Sequence, residues 1–161
     1  MSYTARVGLN HIDVVGPLLP VTGSFLLPFT AYFGLLSTRV VLQRLSSNCV
    51  LGTEVKGAED PVQKKKQHEL LVATRSQANF VEHVPLALLM AAIAELNGAR
   101  KQILTLTLGG LLAARVIHVE LGMRRPESTG AGRAVGYYGT LGAMGFLAGY
   151  AGFLVKDYWG F

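Results

Sequence analysis

The hydrophobic residues of this chain are gathered into four long blocks separated by polar segments. Residues 14–38 and 134–155 contain no charged side chain, and each reaches the roughly 20 residues that a helix needs to span hydrocarbon. Residues 70–96 and 102–122 are mainly apolar but contain a few ionisable side chains. A water-soluble helix carries polar residues at helical period along its outward face, and the first and fourth blocks do not. The pattern therefore predicts a bundle of four membrane-spanning helices.

We expect residues 1–161 to form a single all-α integral membrane domain, since a chain of this length usually forms one domain. Transmembrane helices are predicted at about residues 12–44, 68–96, 101–122 and 133–156, with a polar loop at about residues 45–67. A kink is expected near Pro28, because proline removes a helical hydrogen bond. A secretory signal is the weaker interpretation of the first block, which is longer than a signal peptide's apolar region and lacks a strongly basic start.

Basic residues are concentrated on one side of the predicted bundle. Ten lysines and arginines lie in or beside the loops after the first and third helices, against four on the opposite side. The positive-inside rule places these two basic loops in the cytoplasm. This distribution accounts for the net charge of +5 without a nucleic-acid partner. Residues 64–66 are three lysines, for which we expect solvation or contact with anionic lipid, with steering of an anionic substrate as the alternative.

The fourth helix carries a glycine every three or four residues. These positions are Gly136, Gly139, Gly142, Gly145, Gly149 and Gly152. A stripe without side chains allows another helix backbone to approach closely. A helix of the same chain and a helix of another subunit both fit this pattern.

The second block places Arg75, Asn79 and Glu82 on one helical stripe, because residues three and four apart share a face. Ionisable side chains at bilayer depth cost kilocalories and need a partner. The stripe therefore indicates either an internal contact between Arg75 and Glu82 or a polar ligand site. His83 lies off the stripe and is expected to be a hydrogen-bonded interfacial or packing histidine. A metal site made from His118, Glu82 or His83 is disfavoured, and no metal is expected, because the spacing of metal-binding motifs is missing and no cysteine accompanies these residues.

The third and fourth helices add polar residues on the same basic side. Arg115 and His118 are three residues apart and share a face, whereas Glu120 lies off that face and is expected to pair with a nearby arginine. Arg133 begins the fourth helix, and Tyr137 follows one turn later. Arginines from three helices and a tyrosine thus converge on one side. Such a collection suits a small anionic ligand that has carboxylates and an amine.

Two sequence motifs in the predicted second and third helices resemble those of a known family. They are Arg75-x-Gln77-x-Asn79-x-x-Glu82-x-x-Pro85 and, about thirty residues later, Arg115-x-x-His118. These runs resemble the membrane-associated proteins in eicosanoid and glutathione metabolism, abbreviated MAPEG. The resemblance extends from the end of the first helix through the fourth and includes the ELNG sequence at residues 95–98.

The resemblance implies a homotrimer of four-helix subunits that binds glutathione between helices of adjacent subunits. It implies that Arg75 binds a carboxylate of the tripeptide, Asn79 its backbone, and Glu82 the γ-glutamyl amine. Further expected glutathione-binding residues are Gln77, Arg115, His118, Arg39 and Arg44. The endoplasmic reticulum or the outer mitochondrial membrane is the expected host, with a bacterial inner membrane as the alternative.

The same resemblance assigns catalytic roles at the start of the fourth helix. Arg133 matches an arginine that stabilises the glutathione thiolate, and Tyr137 matches a tyrosine one turn beyond it. The implied activity is a glutathione transferase acting on lipophilic electrophiles from the bilayer, with peroxide reduction as a further activity. Gly122 stands where some eicosanoid-handling members carry tyrosine, which favours a general transferase. The alternatives are a non-catalytic membrane scaffold or lipid-binding subunit and, less favoured, a small channel or transporter.

Overall fold

A computed structural model describes residues 17–54, 60–125 and 130–160, which form four long helices. Helix α1 spans Pro20–Ser47, α2 spans Pro61–Leu96, α3 spans Lys101–Ile117 and α4 spans Gly132–Leu154. A π-helical segment at His118–Met123 continues α3, and a short 3-10 helix follows α4 at Lys156–Trp159. The described ranges contain no β-strand. The predicted all-α, four-helix architecture is confirmed.

Three of these helices are long and apolar enough to cross a membrane: α1, α2, and α3 together with its π-helical extension. Helix α4 has 23 residues, a length of about 34 Å at 1.5 Å per residue. After Arg133 it contains no charged residue. It packs along α3 and α2 in the same bundle.

The observed helix boundaries correct the predicted ones where polar residues extend a helix. Helix α2 begins at Pro61, seven residues before its predicted start, so the expected loop at residues 45–67 is wrong at its end. Proline suits the first helical position, and the lysines that follow are good helix formers. Hydropathy alone had located only the apolar part of α2. Helix α1 begins at Pro20 and ends at Ser47, and it continues through Pro28. Residues 12–16 of the predicted first helix lie outside the described ranges.

The core lies where α1, α2 and α3 meet. The Phe80 ring of α2 packs against Phe29, Tyr32 and Phe33 of α1, with ring centroids 6.2, 5.8 and 6.1 Å apart. Small alanines of α2 and long leucines of α3 belong to the same buried cluster, and all are fully buried: Ala87, Ala91, Ala94, Leu104, Leu108 and Leu111. This combination of small and large side chains allows the helices to interdigitate closely.

Polar contacts establish which helix ends lie together. Glu95, in the last turn of α2, accepts hydrogen bonds from the backbone N–H groups of Val21 and Thr22 at 2.7 and 2.8 Å. The first turn of a helix has N–H groups without intrahelical partners and a partial positive charge, so a carboxylate stabilises it. At the other end, Arg39 of α1 forms an ion pair with Glu120 of the π-helical segment. We refer to this second end as the basic end.

Candidate functional site

The motif stripe of α2 faces away from the core of its own chain. Arg75 and Glu82 are exposed and Asn79 is half-buried, whereas Phe80 and Val84, on the opposite side of the helix, are buried. Among the residues that the structure describes, neither Arg75 nor Glu82 forms an ion pair. The internal Arg75–Glu82 contact considered from the sequence is therefore not formed. Both charges are presented at the surface of the chain.

Asn79 and His83 are linked through the backbone of α2. The Asn79 side-chain amide donates to the Arg75 carbonyl oxygen at 3.0 Å, and the Asn79 carbonyl oxygen lies 2.8 Å from His83 Nδ1. His83 is half-buried. The hydrogen bond expected of His83 is confirmed. Within the described ranges, no group of three or more histidine, cysteine or acidic side chains is arranged to hold a metal ion.

A cavity of about 580 Å³ at the basic end brings several motif residues together. Asn79 reaches it from α2, His118 from the π-helical segment, and Arg133 and Tyr137 from α4. We call it the Arg133 cavity. The Tyr137 ring stands edge-on to Tyr138, which also lines the cavity, with ring centroids 5.3 Å apart. This volume lies within the range of about 300–1,000 Å³ that is usual for small-molecule sites.

Arg115 and His118 hold α4 against α3. Arg115 Nη2 donates to the Gly136 carbonyl oxygen at 2.8 Å, and His118 Nδ1 lies 3.0 Å from the Arg133 carbonyl oxygen. Their exposed fractions are only 3% and 5%. Arg115 does not line the Arg133 cavity, whereas His118 does. Both residues therefore position the backbone that carries Arg133 and Tyr137, a role that their spacing in the sequence did not indicate.

Close packing accounts for glycine at residue 122. Gly122 is buried, and a Cβ atom at this position would collide with the backbone nitrogen and Cα of Arg133. Gly132 packs in the same way against the backbone of Ile117 and Leu121. The start of α4 thus occupies the space that a larger side chain at residue 122 would need. Glycine at this position allows Arg133 to lie directly against the π-helical segment, and such segments are frequent at functional sites.

Two other predicted site residues make contacts elsewhere in the protomer. Gln77 Nε2 donates to Ser37 Oγ at 2.9 Å, which joins α2 to α1. Arg44 Nη1 donates to the carbonyl oxygens of the segment after α1, including Val50 at 2.9 Å and Gly52 at 3.2 Å. Arg44 thus fastens the end of α1 to the following loop. Neither residue lines the Arg133 cavity.

Arg39 belongs to an ion-pair cluster at the basic end. Its Nη1 lies 2.5 Å from one carboxylate oxygen of Glu120, and Arg124 Nη1 lies 2.6 Å from the other. The Tyr32 hydroxyl is 3.4 Å from the same carboxylate. The expectation that Glu120 pairs with a nearby arginine is confirmed. Within one protomer, Arg39 is separated from the Arg133 cavity and lines a different one.

The fold and the motif residues define an all-α membrane protein with a polar cavity at one end of its bundle. A model of the MAPEG family matches residues 24–153, which is most of the chain, and the chain therefore belongs to the MAPEG family. This confirms the resemblance found in the sequence runs of α2 and α3. No curated protein and no solved structure matches the chain.

Proposed function

We propose that this protein is an integral membrane glutathione transferase that conjugates glutathione to lipophilic electrophiles from the bilayer. Membership of the MAPEG family supports this class of reaction, because the family includes glutathione transferases. The observation that carries the proposal is that Asn79, Arg133 and Tyr137, from two helices, line one cavity. Arg75 and Glu82 lie one helical turn or less from Asn79 and have no ion-pair partner within the described ranges.

The charges of this stripe complement those of glutathione. The tripeptide has two carboxylates and an amine, and guanidinium groups bind carboxylates through strong charge-assisted hydrogen bonds. Arg75 is assigned to a carboxylate and Glu82 to the amine. Since both side chains face out of the protomer, a ligand that reaches from the Arg133 cavity to them lies at the protomer surface. This arrangement supports a site completed by a neighbouring subunit of a homotrimer.

Arg133 and Tyr137 are assigned to the reacting sulfur. A free thiol has a pKa of about 8.5, and a nearby fixed positive charge favours the nucleophilic thiolate. The thiolate attacks an electrophilic carbon and forms the carbon–sulfur bond, while the leaving group departs with the bonding electron pair. The Tyr137 hydroxyl, on the same helical face one turn from Arg133, is assigned to donate a hydrogen bond to the sulfur. The exposed apolar helix surfaces allow the electrophile to enter from lipid.

We also propose an orientation of the protein in the membrane and a host membrane. The basic end carries the loops that follow α1 and α3, and the positive-inside rule places it in the cytoplasm, where glutathione is abundant. The endoplasmic reticulum or the outer mitochondrial membrane is the proposed host.

The test is a glutathione titration of purified protein by calorimetry. Arg75→Ala and Glu82→Gln are each expected to weaken binding by more than about 1.5 kcal/mol, or about ten-fold, because each removes a charge-assisted hydrogen bond. The matched controls are Arg100→Ala, at the opposite end of the bundle, and Glu54→Gln, in the loop after α1; both positions are exposed. Unchanged affinity in folded Arg75→Ala and Glu82→Gln protein would show that the assigned site is wrong.

The second candidate function is a non-catalytic scaffold or lipid-binding subunit. Gly122 favours it, because the backbone of α4 fills the space where some relatives carry a tyrosine side chain. The same titration separates the two functions. A ligand that binds only the folded state stabilises it in a saturable way. A scaffold is expected to show no such stabilisation by glutathione.

A further inference from the structure

A second cavity lies at the basic end, beside the Arg133 cavity. It has a volume of about 470 Å³ and is bounded by α1, α2 and the π-helical segment. Arg39 lines it, and we call it the Arg39 cavity. Among the described residues, only Met123 lines both cavities. The Arg39 cavity is therefore formed by a largely different set of side chains from the site assigned to glutathione.

The mouth of the Arg39 cavity is positively charged. Its described lining includes four cationic side chains, one carboxylate and one histidine: Arg39, Lys65, Arg124, Arg125, Glu69 and His68. Glu120 neutralises Arg39 and also binds Arg124. Lys65 and Arg125 form no ion pair with any described residue. Glu69 also forms no ion pair with a described residue. The four cations therefore face two carboxylates, Glu69 and Glu120, and these described side chains carry a net charge of +2 that can attract an external anion.

The inner wall of the same cavity is apolar. Leu36, Val119 and Met123 line it and have exposed fractions of 1%, 4% and 7%. Val72 and Ala73 of α2 continue this wall. A free inorganic anion would make no contact with the apolar wall. An uncharged hydrocarbon would make no ion pair with Lys65 or Arg125. A molecule with an anionic head and an aliphatic chain satisfies both surfaces.

We propose that the Arg39 cavity binds an anionic amphiphile, with its phosphate or carboxylate head at Lys65 and Arg125 and its chain along Leu36 and Val119. The position of the cavity at the basic end of the bundle allows the head to lie at the level of lipid head groups. The volume also suits such a ligand, since small-molecule sites usually have about 300–1,000 Å³. This binding does not depend on the proposed transferase activity.

The experiment uses the full chain in phosphatidylcholine nanodiscs and measures thermal stability during titration with dodecyl phosphate or laurate. At least one of the two probes is expected to raise the midpoint of unfolding in a saturable way. Lys65→Gln and Arg125→Gln are each expected to weaken that binding by about ten-fold, because a charge-assisted hydrogen bond is lost. Lys64→Gln is the matched control. It removes the same charge from the adjacent position, which does not line the cavity, and should change affinity by less than about two-fold.

Three results would overturn the proposal. An equal loss in the Lys64→Gln and Lys65→Gln variants would show a general attraction of anions to a basic surface. Inorganic phosphate that binds as tightly as dodecyl phosphate would show that the chain contributes nothing. Saturable stabilisation by neither dodecyl phosphate nor laurate would show that the cavity does not take an anionic amphiphile. Glutathione affinity, measured on the same samples, is expected to be unchanged in all of these variants.

Discussion

At the scale of single residues, arginines and glutamates that lie in similar apolar surroundings in the sequence differ in their exposure in the structure. Arg75 and Arg115 both interrupt apolar blocks, yet Arg75 is exposed whereas Arg115 is buried and bonded to the Gly136 carbonyl. Glu82 is exposed, whereas Glu95 caps the first turn of α1. The exposed residues of each pair remain available to a ligand. The buried or capping residues support the fold.

Glu95→Ala is expected to loosen the start of α1 without unfolding the bundle. Loss of a helix cap costs about 1–2 kcal/mol, so the amides of Val21 and Thr22 should exchange hydrogen about 5- to 30-fold faster. Hydrogen exchange read by mass spectrometry or NMR measures this directly. Glu54→Ala, at the opposite end, should leave that exchange unchanged. Equal protection in the Glu95→Ala variant would show that the carboxylate does not stabilise the helix end.

At the scale of elements, the glycine stripe of α4 divides into two parts. A Cβ atom at Gly136 would collide with His118, and one at Gly139 would lie 3.2 Å from the Ala114 side chain, so this part packs against α3. The remaining glycines have open space around them: Gly142, Gly145, Gly149 and Gly152. For Gly136 and Gly139, the partner helix therefore belongs to the same chain. This close approach brings Arg133 to the cavity.

Gly136→Ala is expected to destabilise the protein by about 1–3 kcal/mol, the usual cost of inserting a methyl group into a tightly packed contact. The added Cβ would meet backbone and Cβ atoms of α3, which cannot rotate away. Thermal or denaturant unfolding in detergent measures the change. Gly110→Ala in α3, where no heavy atom lies within 4 Å of the new Cβ, serves as the control. It is expected to be neutral or to stabilise by up to about 1 kcal/mol, since alanine favours helix. Similar effects of the two substitutions would contradict the close packing of α4 on α3.

At the scale of the whole molecule, a single protomer leaves its charged motif stripe on the outside. Exposed leucines and phenylalanines can make favourable apolar contacts with lipid chains. Arg75 and Glu82, on a helix long and apolar enough to span a membrane, need polar partners. In the proposed function, a neighbouring subunit and a glutathione molecule between the two subunits would supply such partners. The outward direction of the stripe therefore supports the homotrimer implied by the family.

Native mass spectrometry of the detergent-solubilised protein is expected to show an assembly of three chains of 17.3 kDa each. The Arg75→Ala and Glu82→Gln variants should keep this mass if their charges bind the ligand. A protein that is monomeric and still binds glutathione with full affinity would contradict a site shared between subunits.

The sequence by itself determined the four apolar blocks, the basic end and the motif stripe, because hydropathy and helical spacing are local properties. It also predicted correctly that Glu120 pairs with an arginine and that His83 is hydrogen-bonded. Hydropathy placed the start of α2 too late, since lysines that extend a helix beyond the apolar region carry no hydropathy signal.

Only the tertiary structure decided which motif residues share a cavity. Asn79, His118, Arg133 and Tyr137 meet because the glycines at the start of α4 allow it to pack directly on α3. Arg39 lines a different cavity because its ion pair with Glu120 holds its side chain between α1 and the π-helical segment. Which residues line the same cavity depends on the direction of their side chains and on the close approach of helices that are distant in sequence. The spacing of residues along one helix cannot specify this.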